Sequence, residues 1–182
     1  MGVPGHANRI FSVKYVQDDP NYLISGGWDN NLLLWDIRAG KVAKSFYGPH
    51  ICGDSLDIKG GNILAGSYSN SDNLYSIDLK TLELNHQISW YGDNFEKSEE
   101  TRPSSLYSAV YTSDGEHIIA GGASPNEVRI FKNDESEGFK VVSAISDLEH
   151  ASLTIDVAHN SNQFAFGTAD GYLRIMNLTD AE

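Results

Sequence analysis

A single cysteine, Cys52, in 182 residues excludes an internal disulfide and with it the small stapled scaffolds of secreted domains. As a lone thiol it reads as a small buried residue rather than a reactive nucleophile, and it points to an intracellular, cytoplasmic chain. Basic residues are scarce: 13 Lys and Arg stand against 25 Asp and Glu, a formal net charge of −12. No cluster of cations interleaved with aromatics offsets that balance, so direct contact with nucleic acid is disfavoured. Long hydrophobic runs are missing too, since no stretch approaches the ~20 apolar residues of a membrane helix. Met1-Gly2-Val3-Pro4 leads into patterned sequence with neither a basic region nor an apolar stretch. No membrane association and no secretory leader is therefore expected. The six histidines, at positions 6, 50, 86, 117, 150 and 159, show no paired metal spacing. The pairs Gly26-Gly27, Gly60-Gly61 and Gly121-Gly122 lack the Lys of a phosphate loop. Neither a metal nor a cofactor is expected.

What is present is repetition. Residues 9–15, 22–26, 31–36 and 41–46 alternate apolar with polar or small residues between turn signals such as Asp19-Pro20-Asn21, which predicts a four-stranded antiparallel sheet. A second sheet is expected from 55–58, 62–66, 73–78 and 83–89, a third from 106–111, 117–121, 127–131 and 139–145, and a fourth from 153–157, 163–167 and 172–178. Trp35, Ile77, Phe131 and Met176 hold equivalent positions, 42, 54 and 45 residues apart, a period that suits four-stranded propeller blades. The fold class expected is all-β, a single β-propeller segment over 1–182 with repeats at about 5–47, 48–90, 102–146 and 147–182. The fourth blade is expected to lack its outer strand. The long third interval comes from an acidic insert at about 91–104, opening at Trp90, whose Asp93, Glu96, Glu99 and Glu100 would attract a basic partner.

Within the first repeat, Leu23 to Arg38 reads L-I-S-G-G-W-D-N-N-L-L-L-W-D-I-R. With Gly5-His6 before the first strand, Ser25 ending the second, Asp29 in the tight turn and Trp35-Asp36 in the third, it resembles the tryptophan-aspartate (WD) repeat family. The resemblance implies a buried network of His6, Ser25, Asp29 and Trp35. Later repeats match more loosely: the second keeps His50 and Asp78, the third has Arg102 near the His position, and the fourth keeps His150 and Asp170. Propellers of this family close with about seven blades. The chain is accordingly expected to be a piece of a longer propeller, or else to pair with another copy or another propeller, ahead of a closed four-bladed ring.

The function implied is a non-catalytic scaffold for protein partners. Turns between second and third strands share one face with the entries to the first strands, and there Trp28, placed without a strand neighbour, is the expected partner-binding anchor with Arg9, Phe11, Tyr68 and Tyr107 on the same rim. Two alternatives use the same segment. Leu23 to Arg38 also looks like the box by which some WD-repeat proteins dock on cullin-RING ubiquitin ligases, with Asp36 and Arg38 at marked positions. His6 and Ser25 with Asp29 contain the residue types of a hydrolase, although no Gly-x-Ser-x-Gly elbow is present.

Overall fold

The computed structural model describes residues 5–71, 73–92, 102–159 and 161–178. These form β1 (Ile10–Tyr15), β2 (Tyr22–Gly27), β3 (Asn31–Asp36) and β4 (Lys41–Tyr47) in a first antiparallel sheet, and β5 (Leu56–Lys59), β6 (Asn62–Gly66), β7 (Leu74–Asp78) and β8 (Leu84–Ile88) in a second. A third sheet holds β9 (Ser105–Tyr111), β10 (His117–Ala123), β11 (Val128–Lys132) and β12 (Lys140–Ile145). The last holds β13 (Ser152–Val157), β14 (Gln163–Thr168) and β15 (Leu173–Asn177). Each strand pairs with its chain neighbour because the joints are short polar turns. Asp78, for instance, accepts from the amides of Lys80 (2.8 Å) and Thr81 (2.6 Å), and Asp134 from those of Ser136 (2.9 Å) and Glu137 (3.1 Å).

The sheets stack as four consecutive blades of a partial β-propeller, with the inner strands β1, β5, β9 and β13 in sequential contact. The middle strands of blades 2 and 3 are buried on both faces, which explains their short apolar runs. Three separate cores fill the seams. Ile24, Leu32 and Leu34 of blade 1 meet Ile63, Ala65 and Ile77 of blade 2. Leu64 and Leu74 of blade 2 meet Ile118, Ala120 and Phe131 of blade 3, and Ile119 and Ile130 of blade 3 meet Ile155, Phe164 and Phe166 of blade 4. The two outward sheet faces remain apolar and open: Val13 and Tyr15 on blade 1 are 51% and 62% exposed, Leu173 and Ile175 on blade 4 69% and 68%.

The sequence expectation is corrected at the roots of the insert. Trp90, read as the start of a loop, is 1% exposed, and Ser104 is fully buried with its hydroxyl donating to the Pro125 carbonyl at 2.8 Å. Both belong to the core. The expected acidic residues Asp93, Glu96, Glu99 and Glu100 lie outside the described residues, as do residues 179–182 beyond the fourth blade.

Candidate functional site

The site begins with a close approach of two strands. β1 bulges between Ile10 and Ser12, and a Cβ on Gly27 would stand 2.0 Å from the Arg9 carbonyl oxygen, so no larger residue fits. The Trp28 amide then donates to that carbonyl at 3.0 Å, and Asn30 turns the chain at φ 61°, a region Asn tolerates. Two clusters result, one on either side of the turn.

On the side facing away from blade 2, Asp29 points back to His6. His6 Nδ1 lies 2.9 Å from both Asp29 carboxylate oxygens, His6 Nε2 lies 2.7 Å from Ser25 Oγ, and Trp35 Nε1 donates to Ser25 Oγ at 2.7 Å. Because an indole only donates and a carboxylate only accepts, the protons run Trp35 to Ser25 to His6 to Asp29. Burial works to raise the Asp29 carboxyl, but hydrogen bonds from His6 and from the amides of Ala7 and Asn31 outweigh it and hold it below its ordinary value. The order Asp-His-Ser is that of a hydrolase, yet Ser25 is 2% exposed and its oxygen already accepts from Trp35.

The cross-strand registers show why the network occurs once. Ser25 and Trp35 correspond to Ala65 and Ile77 in blade 2, Ala120 and Phe131 in blade 3, and Phe166 and Met176 in blade 4, all apolar and packed into seams. His50 accordingly turns to the preceding blade, its Nδ1 lying 2.6 Å from Asn30 Oδ1, while its amide donates to Ser67 Oγ at 2.9 Å. His150 reaches only 3.6 Å from Asp170 and is half exposed.

The second cluster occupies the face formed by the turn and the strand entries. Arg9 lies over the Trp28 indole with its guanidinium carbon 4.9 Å from the ring centroid, Phe11 stacks on it at 5.2 Å, and His50 at 6.2 Å. The indole N–H donates to Cys52 Sγ at 3.1 Å. The expectation of a Trp28 without neighbours is thus corrected: it is braced by Phe11 from β1 and His50 from the next blade, yet keeps 37% of its surface exposed. Cys52 is half-buried instead of a core residue, and burial pushes its thiol up despite the bond from Trp28. Tyr68 and Tyr107 form a second pair across the seam of blades 2 and 3, centroids 5.0 Å apart. Burial, then the Tyr68 hydroxyl, pushes the Tyr107 phenol up to about 12. The Tyr68 amide donates to the His50 carbonyl at 2.8 Å, which joins the two clusters into one ledge. At the Trp28 position blades 3 and 4 carry Ala123 and Ala169, so an aromatic at that position is confined to blades 1 and 2.

Asp36 and Arg38 stand at the far end of β3, roughly 17 Å from the Trp28 turn at the usual rise per strand residue. Asp36 caps its own hairpin by accepting from the Ala39 amide at 3.0 Å, and Arg38 is exposed. Sequence reasoning missed the brace built around Trp90 and Tyr91. Glu127 is buried with Arg129 Nε 2.5 Å away, Trp90 Nε1 donates to the same carboxylate at 3.3 Å, and Arg129 covers both Trp90 and Tyr91. The i, i+2 pair Glu127-x-Arg129 on one strand was its visible signal. Among the described residues no three His, Cys, Asp or Glu converge on a possible metal position, and no helix is long and apolar enough to cross a membrane.

Comparison with known proteins adds family evidence to this geometry. The family described as WD domain, G-beta repeat matches residues 2–36. A guanine nucleotide-binding protein subunit beta of Arabidopsis thaliana is 32% identical over 130 residues, 67% of this chain and 31% of that protein. The small ribosomal subunit protein RACK1 of Drosophila melanogaster is 46% identical over 40 residues, 22% of this chain and 12% of its own length. Among solved structures, a chain of the mitotic checkpoint complex superposes with a TM-score of 0.80 at 15% identity, covering 98% of this chain and 53% of that one. The WD40 β-propeller domain of Doa1 gives 0.75 at 19% identity, covering 98% and 54%. The chain therefore spans about a third of the Arabidopsis relative and about half of these propeller chains.

Proposed function

We propose that this chain, which belongs to the WD-repeat β-propeller family, is a non-catalytic scaffold that binds protein partners through the Arg9–Phe11–Trp28 ledge, with Tyr68 and Tyr107 extending it. The observation that carries this reading is Trp28, held in one orientation by Arg9, Phe11 and His50 while over a third of its surface faces solvent. A preorganised aromatic loses little entropy on binding, and Trp and Arg are the residues enriched among energetic anchors. Non-catalysis is supported by the buried, doubly bonded Ser25 oxygen. The lone, unbridged Cys52 supports an intracellular site of action. On the same reading the apolar flanks at Val13 and Tyr15 and at Leu173 and Ile175 are covered in use by further blades, a second copy or another propeller.

The test is affinity purification of the tagged protein and its Trp28→Ala and Arg9→Ala variants. Truncating a central anchor costs about 2 kcal/mol or more, roughly thirtyfold in affinity, and Arg9→Ala should weaken capture less. Unchanged recovery of partners by Trp28→Ala would remove the ledge from the proposal. The ligase-receptor alternative now rests on the exposed Arg38, since Asp36 is engaged in its turn. Pull-down with the ligase adaptor, comparing native chain and Arg38→Ala, separates it: absence of adaptor capture leaves the general scaffold.

A further inference from the structure

The seams between blades are not filled alike on the side opposite the Trp28 ledge. Between blades 2 and 3 the molecule supplies its own occupant. The turn after β11 carries Glu135 across the seam, where its carboxylate accepts from Asn62 Nδ2 at 3.0 Å and from Ser76 Oγ at 3.5 Å. Phe139, at the end of that turn, packs edge-on against His86 with centroids 5.5 Å apart.

Between blades 1 and 2 an open cleft lies at the equivalent place. Tyr22 and Leu34 stand there in the register positions that Asn62 and Ser76 hold one blade on. The turn after β7 spans 79–83, against 133–139 after β11, and Asp78 ties it down through the Lys80 and Thr81 amides. Leu82, in the position of Phe139, packs into the seam core and Lys44 on β4 donates to the Lys80 carbonyl, but no carboxylate from this turn meets Tyr22 and Leu34. What remains is a cleft of about 440 Å³ floored by Val16, Tyr22, Leu34 and Leu79, within the range of small-ligand and side-chain pockets. Where the filled seam presents Asn and Ser to a carboxylate, this one presents hydrocarbon. Its rim is charged in order, from Asp18 and Asp19 beside the inner strand to Lys44 on the outer strand and Lys80 on the neighbouring blade.

The geometry points to a second protein-docking site here, for a short extended peptide segment of a partner. A bulky aliphatic or aromatic side chain enters between Leu34 and Leu79. A basic residue precedes it on the Asp18–Asp19 side, and an acidic residue follows it on the Lys44–Lys80 side. The internal occupant of the neighbouring seam shows that a side chain can be seated at this height, and the rim charges set the polarity. This site rests on the scaffold reading but is separate from the Trp28 ledge.

The experiment is selection from a phage-displayed random peptide library on the full chain, followed by fluorescence polarisation of the enriched peptides. The variants are Ala43→Trp, which fills the cleft from an exposed position on its lining, Lys80→Glu and Trp28→Ala. The expected consensus is basic, bulky apolar, acidic. Its affinity should fall about tenfold or more in Ala43→Trp, fall in Lys80→Glu, and hold in Trp28→Ala. Peptides that ignore Ala43→Trp, or no enrichment at all, overturn the cleft. Peptides lost only in Trp28→Ala overturn it while sustaining the ledge. If sedimentation shows the native chain associating with itself and Ala43→Trp dispersing it, the occupant is a second copy and the peptide assignment falls.

Discussion

Replacing Asp29 by Ala removes an acceptor shared by three donors, and their surroundings fix the cost. The amide of Ala7, bonded at 2.8 Å, is exposed and returns to water at little expense. The Asn31 amide, at 3.2 Å, is half-buried and loses a long bond. The His6 ring decides the matter: its side chain is 2% exposed, and Asp29 is the partner of its Nδ1. A bond to a charged group contributes ~1.5 to 3 kcal/mol, and a stranded buried donor forfeits most of that. Asp29→Ala should therefore destabilise the protein by about 2 to 3 kcal/mol. At ~2 to 4 °C per kcal/mol for a chain of this size, that is a drop in Tm of roughly 5 to 10 °C by circular dichroism. Asp29→Asn keeps an acceptor and should lose about half as much. The sign of the pH dependence follows from the lowered carboxyl pKa. The contribution is complete above the unfolded value of 3.8 and is lost as pH falls through the lower folded value. Native and Asp29→Ala proteins differ fully at neutral pH and converge in acid. A melting temperature within a degree or two of native at pH 7 would refute the network's energetic role.

Arg129→Ala should cost about 3 kcal/mol or more, because it leaves the buried Glu127 carboxylate without its cation, and urea denaturation followed by circular dichroism reads it. The double change Glu127→Leu with Arg129→Leu should be milder than the single one, and the reverse order would contradict a buried-charge origin. Gly27→Ala should largely prevent folding, since the added Cβ would stand 2.0 Å from backbone at Arg9, whereas Gly40→Ala, with open space around its Cβ, should cost only the strain of its positive φ. Equal expression and stability of the two would show that the bulge of β1 yields.

The strands were legible because blades bury both faces of their middle strands, so Leu32-Leu33-Leu34 and Ile118-Ile119 announce themselves between polar turns; the structure moves their ends by a residue or two. The first-blade network was legible through Gly5-His6, Ser25, Asp29 and Trp35. Local pattern failed at Trp90. It sits beside the polar run that opens the insert, and its burial depends on Glu127 and Arg129, nearly forty residues later. The ledge failed in the same way. Trp28 reads as an isolated turn residue until β1 and the entry to blade 2 bring Phe11 and His50 against it.

The three seam cores have no residue in common, and each is shared by two adjoining blades alone. Energetically the arc behaves as a one-dimensional chain of nearest neighbours. A lesion in blade 1 is felt in blade 4 only after passing through all three interfaces, each damping it. Among the described residues blades 2 and 3 have a core on either side, so their strands are coupled to two neighbours at once. The Trp28 ledge straddles the first of these seams, so a partner touching Trp28 and His50 together would act as a clasp across the joint between blades 1 and 2.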